Sequence, residues 1–185
     1  MENKLYFITG NKNKFSEVKS ILSETHEVEQ LDLDLEEIQE FDAHKIIQAK
    51  LREAQKKHSG EFIIEDTSLY LDCLGGLPGP LIKWFMQTIG IEGIYNITEK
   101  YGNNKAQAKT IIGYSDSNGK IMFFEGVLEG QIVKPSGLSN FGWDPIFKPK
   151  NFDKTFQEMS REEKNKMSMR RMAVEKLKEY LGKNN

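Results

Sequence analysis

Between residues 4 and 71 the chain alternates short apolar runs with stretches of helical spacing, and this alternation narrows the possible folds more than any other feature. The run "KLYFITG" is aromatic and β-branched and predicts a strand. Behind it Phe15, Val18, Ile21 and Leu22 recur at helical spacing, which predicts a helix starting just after Lys12 and Lys14. "HEVEQLDLDL" alternates as a second strand would. "DAHKIIQAKLREAQKKH" puts Ile46, Ile47, Leu51 and Ala54 on one helical face, with Gly60 beyond its end. "EFIIEDTSLYL" supplies a third strand, whose apolar part stops at Glu65-Asp66. A strand–helix–strand–helix–strand order predicts an α/β fold around a central sheet.

The rest of the chain extends this plan. "LGGLPGPLIKWF" reads as a Gly/Pro-rich loop leading into a helix from Trp84 to Ile89, and a short helix is expected over 94–101. "AQAKTIIGYSDSNGKIMFFEGVLEGQIV" reads as antiparallel strands turning at "SNGK". "FGWDPIFKP" is an aromatic loop. Ser160 and Glu163 have capping-box spacing, and Ala173, Leu177 and Leu181 share one face of a last helix. No linker divides the 185 residues, so a single domain over 1–185 is expected. The net charge of −2 gives no broad electrostatic case for binding nucleic acid or a membrane surface. One cysteine, Cys73, rules out an intramolecular disulfide and a cysteine-rich zinc site. With no leader and no bilayer-length apolar stretch, the expected compartment is the cytoplasm.

Four groups of residues carry candidate chemistry. A strand ending in Thr9-Gly10-Asn11 and turning into a helix offers backbone N–H groups and a positive helix end to phosphate. Gly10 permits close approach, Thr9 and Asn11 can hydrogen-bond oxygens, and Lys14 adds charge; an Asn-capped turn into an ordinary helix explains the stretch as well. Glu65 and Asp66 stand where open α/β sheets place ligands, at the end of a buried strand. With a second acid from "DLDLEEIQEFD" they suit Mg²⁺; periodicity does not choose among Glu36, Glu37 and Glu40, and such acidic runs are usually solvated faces. The aromatics of "FGWDP" can stack on a purine or anchor a core. "EEKNKMSMRR" is a salt-bridged helix end unless the fold brings Lys164 and Arg170 to a site. His26, His44 and His58 lack ligand spacing and read as surface residues, and Cys73 as a packed or idle thiol.

Taken together, "FITGNKNKFSEVKSIL", "EDTSLYLDCLGGLPGPLIKWF", "FGWDPIFKP" and "FDKTFQEMSREEKNKMSMR" resemble the inosine triphosphate pyrophosphatase family, in the family's order and over nearly the whole chain. The resemblance implies an elongated α/β protein of two lobes, with a central mixed sheet, a cleft between the lobes, and usually a homodimer. It implies Mg²⁺-dependent hydrolysis of the purine nucleoside triphosphates ITP, dITP and XTP to monophosphate and pyrophosphate. By the same resemblance Thr9, Gly10, Asn11, Lys12, Asn13 and Lys14 hold the triphosphate, with Lys50 as a further contact. Glu37 and Asp66 bind the metal, Asp66 also activates water, and Thr67 lies beside the substrate. Phe141, Gly142, Trp143, Asp144 and Lys164 form the nucleoside pocket. Arg170 closes a Ser-His-Arg triplet that here reads Ser168-Met169-Arg170, so the thioether of Met169 replaces an imidazole and cannot donate a hydrogen bond. Arg170 and Lys164, both donors, are then expected to favour a C6 carbonyl over adenine's amino group.

Overall fold

The computed structural model describes residues 4–136 and 142–183. In chain order the elements are β1 (Lys4–Ile8), α1 (Lys12–Leu22), β2 (Glu27–Leu31), α2 (Ala43–Lys57), β3 (Glu61–Leu71), β4 (Pro78–Gly79), α3 (Ile82–Thr88), α4 (Gly90–Tyr101), β5 (Lys105–Ser115), β6 (Ile121–Ile132), β7 (Phe147–Pro149), α5 (Arg161–Met167) and α6 (Met169–Lys183). A single 3-10 turn, Asp72–Leu74, follows β3. Among the described residues seven strands make one mixed sheet of order β2-β1-β3-β5-β6-β7, with β4 paired to β3. β1 runs parallel to both β2 and β3, while β4 and β7 run antiparallel to β3 and β6. This is the expected α/β fold with its central mixed sheet.

The chain divides into two compact units, one of Met1–Asp66, Thr110–Gly126 and Arg170–Asn185, the other of Thr67–Lys109 and Val127–Met169. In the first unit, strand alternation sends side chains to opposite faces of the sheet, and each face has its own cluster. Leu5, Phe7 and Ile63 pack with Val18 and Leu22 of α1 and with Ala173, Val174 and Leu177 of α6. Ile8, Phe62 and Ile64 pack with Ile47, Leu51 and Ala54 of α2. Gly113 of β5 lets α2 come close: a Cβ there would stand 2.2 Å from Ile47 Cγ2. The second unit packs Leu69, Ile82, Ile94, Ala106 and Ile132 with Trp143, Phe147, Phe156 and Met169. No helix among the described residues is long and apolar enough to cross a membrane.

Several boundaries differ from the sequence reading. α1 starts at Lys12, because Asn11 is extended (φ −93, ψ 105) and caps it, so both lysines lie in the first turn. β2 stops at Leu31, and residues 32–42 form neither helix nor strand, in keeping with the poor strand propensity of Asp32 and Asp34. β3 spans Glu61–Leu71, as the run "EFIIEDTSLYL" predicts, so Glu65 and Asp66 lie inside the strand and not at its end, and Glu65 finds cationic partners there. Of the three histidines expected at the surface, His26 is buried, while His44 and His58 stay partly exposed, packing edge-on to Phe123 and Tyr6. The capping box at Ser160 and Glu163 forms as expected, and so does the apolar face of α6.

Candidate active site

In the first unit the chain leaves β1 at Ile8 and turns into α1 through Thr9-Gly10-Asn11. The turn satisfies several of its own polar groups. Thr9 Oγ1 accepts from the Asn11 N–H at 3.1 Å, and Asn11 Oδ1 accepts from Asn13 and Lys14 N–H at 3.0 and 3.1 Å. Gln30, at the end of β2, donates to the Thr9 carbonyl at 2.6 Å. The expectation of free amides therefore needs correction for Asn13 and Lys14, whose N–H groups the Asn11 cap already occupies. Lys12 and Asn13 are exposed on the first turn.

Lys14 points its ammonium at Glu65 Oε1, 3.0 Å away. Glu65 is the centre of a buried ion network, its side chain 1% exposed. Arg170 Nε and Nη2 donate to its two oxygens at 2.6 and 3.2 Å, and Arg170 Nη1 donates to Glu17 at 2.5 Å. Burial alone would push the Glu65 carboxyl up. Arg170 and Lys14 overcome this and hold it well below the usual carboxylate range. Burial likewise works against the Arg170 charge, and Glu65 and Glu17 more than restore it. Arg170, which the resemblance placed near the base, thus commits three of its five N–H groups to carboxylates.

Residues 32–42 bring the acidic run alongside α2. Lys50 Nζ meets Glu37 Oε2 at 2.5 Å. Glu40 turns back on its own loop, accepting from Phe41 and Asp42 N–H and pairing with Lys45. Of the acids that periodicity left open, Glu37 is the one paired with a candidate phosphate ligand. Asp66, half-buried in β3, shares by alternation the face of Phe62 and Ile64, which is the α2 face; Glu65 faces α1 and α6 with Ile63. Glu37, Lys50 and Asp66 therefore belong to one side of the sheet.

In the second unit Thr67 follows in β3, half-buried. Gly142 takes φ +54, a conformation natural to glycine, and leads into Trp143. Trp143 is a core anchor: it is 7% exposed and packs edge-on to Phe147 at 5.4 Å. The stacking role expected of it from sequence gives way to packing. Phe141 lies outside the described residues. Asp144 and Lys164 form a close ion pair, and the Lys164 ammonium sits 4.9 Å over the Phe156 ring. Met169 is buried in the same apolar cluster, as a thioether prefers, so its side chain fills core. Sequence reasoning missed Glu17, Gln30 and the role of Glu65. The lone signal was the i,i+3 spacing of Lys14 and Glu17 on α1.

The Ham1 family model matches residues 5–180. The chain belongs to the Ham1 family. This Ham1-family chain is 39% identical over 178 residues to the inosine triphosphate pyrophosphatase of Schizosaccharomyces pombe, covering 96% of this chain and 94% of that protein. It is 45% identical over 178 residues to the inosine triphosphate pyrophosphatase of Podospora anserina, covering 96% and 93%. Among solved structures, the Staphylococcus aureus Ham1 protein superposes with a TM-score of 0.85 at 25% identity, over 98% of this chain and 100% of that one. The nucleoside-triphosphatase / dITP/XTP pyrophosphatase of Mycobacterium abscessus gives 0.75 at 25% identity, over 94% and 98%.

Proposed function

We propose that this chain hydrolyses the non-canonical purine nucleoside triphosphates ITP, dITP and XTP to the monophosphate and pyrophosphate. The near-full-length likeness to relatives named inosine triphosphate pyrophosphatase carries the reading. The chemistry of the first unit agrees with it. Lys14 and Lys50 are cationic donors suited to a run of phosphates, and each already holds a carboxylate that anionic oxygens can replace. Asp66 is the candidate base: as water oxygen bonds to phosphorus and the P–O bond of the α–β bridge breaks, the water proton passes to the Asp66 carboxylate. Positioning and electrostatics supply the rest, with no covalent intermediate.

The donor set fits Mg²⁺. Among the described residues no cluster of three or more His, Cys, Asp or Glu is formed that could hold an ion. Two carboxylates, Glu37 and Asp66, suit a hard ion that completes its shell with phosphate oxygens and water. When bound there, Mg²⁺ would neutralise phosphate charge and lower the pKa of water.

Base choice is assigned to the Asp144–Lys164 pair. One member accepts and the other donates, which matches N1–H beside the C6 oxygen of hypoxanthine and xanthine, and mismatches adenine at both positions. We further propose a cytosolic homodimer. The lone thiol of Cys73 suits a reducing compartment, and the second unit exposes Leu77, Trp84 and Ile89 as apolar surface; sedimentation and cell fractionation test this. The activity is tested by incubating ITP, XTP, GTP and ATP with Mg²⁺ and assaying pyrophosphate and orthophosphate separately. Equimolar monophosphate and pyrophosphate from ITP and XTP is expected. Stepwise release of orthophosphate would overturn the reading.

A further inference from the structure

Residues 32–42 have no helix or strand to fix them, yet they carry Glu37. What holds them is a stripe on α2. Lys50, Glu53 and Lys57 lie at i, i+3 and i+7, one above the other on a single helical face. Each meets the loop in turn. Lys57 Nζ donates to the Asp34 carbonyl at 2.8 Å, Glu53 Oε2 accepts from the Glu36 N–H at 2.9 Å, and Lys50 pairs with Glu37 at 2.5 Å. The loop therefore runs antiparallel to the helix. Seven helical residues rise about 10 Å. Three extended residues span about 10 Å as well. The two segments are commensurate, so all three contacts form without slack.

The contacts differ in what substrate does to them. Lys50 is a candidate phosphate ligand, so its hold on Glu37 is the one that phosphate competes for. The contacts from Glu53 and Lys57 involve loop backbone and face no such competition. Glu53 is itself aimed by Lys57, 2.6 Å away at i,i+4. Lys57 and the Glu36 amide hold the Glu53 carboxyl below its ordinary value, so it stays a charged acceptor.

We propose that Glu53, steadied by Lys57, is a positioning residue that presents Glu37 to the metal by fixing the Glu36 peptide, and so sustains metal affinity once Lys50 turns to phosphate. The inference rests on the reading of Glu37 as a metal ligand. The test compares Glu53→Ala and Glu53→Gln with the native chain in two measurements: amide exchange at Glu36 without metal, and the Mg²⁺ concentration that gives half-maximal pyrophosphate release at saturating ITP. Glu53→Ala is expected to speed Glu36 exchange and raise half-saturating Mg²⁺ about three- to tenfold, the range for one lost hydrogen bond of ordinary strength, with kcat at saturating Mg²⁺ little changed. Glu53→Gln keeps a carbonyl acceptor, and both values should return to within about twofold of native. An active native enzyme whose Mg²⁺ titration is unmoved by Glu53→Ala, or a Gln variant no better than Ala, overturns the inference alone. A native chain with no Mg²⁺-stimulated pyrophosphate release overturns the reading of the site and the inference with it.

Discussion

Replacing Arg170 by methionine removes the cation that neutralises a carboxylate almost out of reach of solvent. Of its two cationic ion-pair partners among the described residues, Glu65 would keep Lys14, whose side chain is 24% exposed, and Glu17 would lose its contact to the guanidinium. Breaking a buried pair by deleting one partner costs about 3–5 kcal/mol, because the remaining charge is left uncompensated. For a chain of this size each kcal/mol moves the melting temperature by about 2–4 °C, so a fall of about 6–20 °C is expected at pH 7. The pH dependence has a definite sign. In the native chain the Glu65 carboxyl is held low, so its contribution is present above its unfolded value and is lost only as pH falls through the lower folded value. In the variant burial prevails, and the carboxyl rises and takes up a proton sooner. The stability gap between native and variant should therefore narrow from pH 7 to pH 5. Urea denaturation at both pH values measures it, and Arg170→Met combined with Glu65→Gln should recover part of the loss. A loss under about 1 kcal/mol, or a gap that widens on acidification, would show that Arg170 does not neutralise Glu65.

Three further outcomes are expected. Asp66→Asn should stay folded and lose roughly 10²–10⁴-fold in turnover, the range for a general base, as measured by pyrophosphate release; a near-normal rate would assign the water to another group. Gly113→Ala places a methyl 2.2 Å from Ile47 Cγ2 and 2.9 Å from Leu51 Cδ1, and overpacking of this kind costs about 1–3 kcal/mol, visible as a lower urea midpoint. Burial pushes the His26 imidazole below its ordinary value, so the unfolded chain binds the proton first and stability falls as pH drops through about 6.5; His26→Gln should flatten that slope between pH 7 and 5.5.

The α/β plan could be read in the sequence because each early element has a clean period: Leu5 and Phe7 alternate to one sheet face, while Ile47, Leu51 and Ala54 line one helical stripe. Local signals such as the Ser160 capping box were legible for the same reason. The run to Leu71 was legible as strand, but Glu65 and Asp66 were placed at a strand end because two acids inside an apolar run look like a stop. What overrides that rule is Arg170, 105 residues away, and no local pattern encodes a partner at that distance. The packing of two candidate pocket residues was illegible for a related reason. Trp143 and Met169 are as compatible with core as with a ligand pocket, and only packing decides. The placement of Glu37 was legible by resemblance but not by periodicity, since residues 32–42 have no period and take their shape from α2.

The turn at Thr9-Gly10-Asn11 has several of its donors already engaged: Asn11 occupies two amides and Glu65 holds the Lys14 ammonium. Such a turn takes up an anion by exchange, not by filling a vacancy. An incoming group must outbid a neutral amide oxygen and a full negative charge. Several linked phosphates, each contributing charge to the same few donors, do so more readily than one. On the proposed reading, in which this turn holds the triphosphate, each fragment left after cleavage competes separately with Asn11 and Glu65, and these internal partners favour its departure.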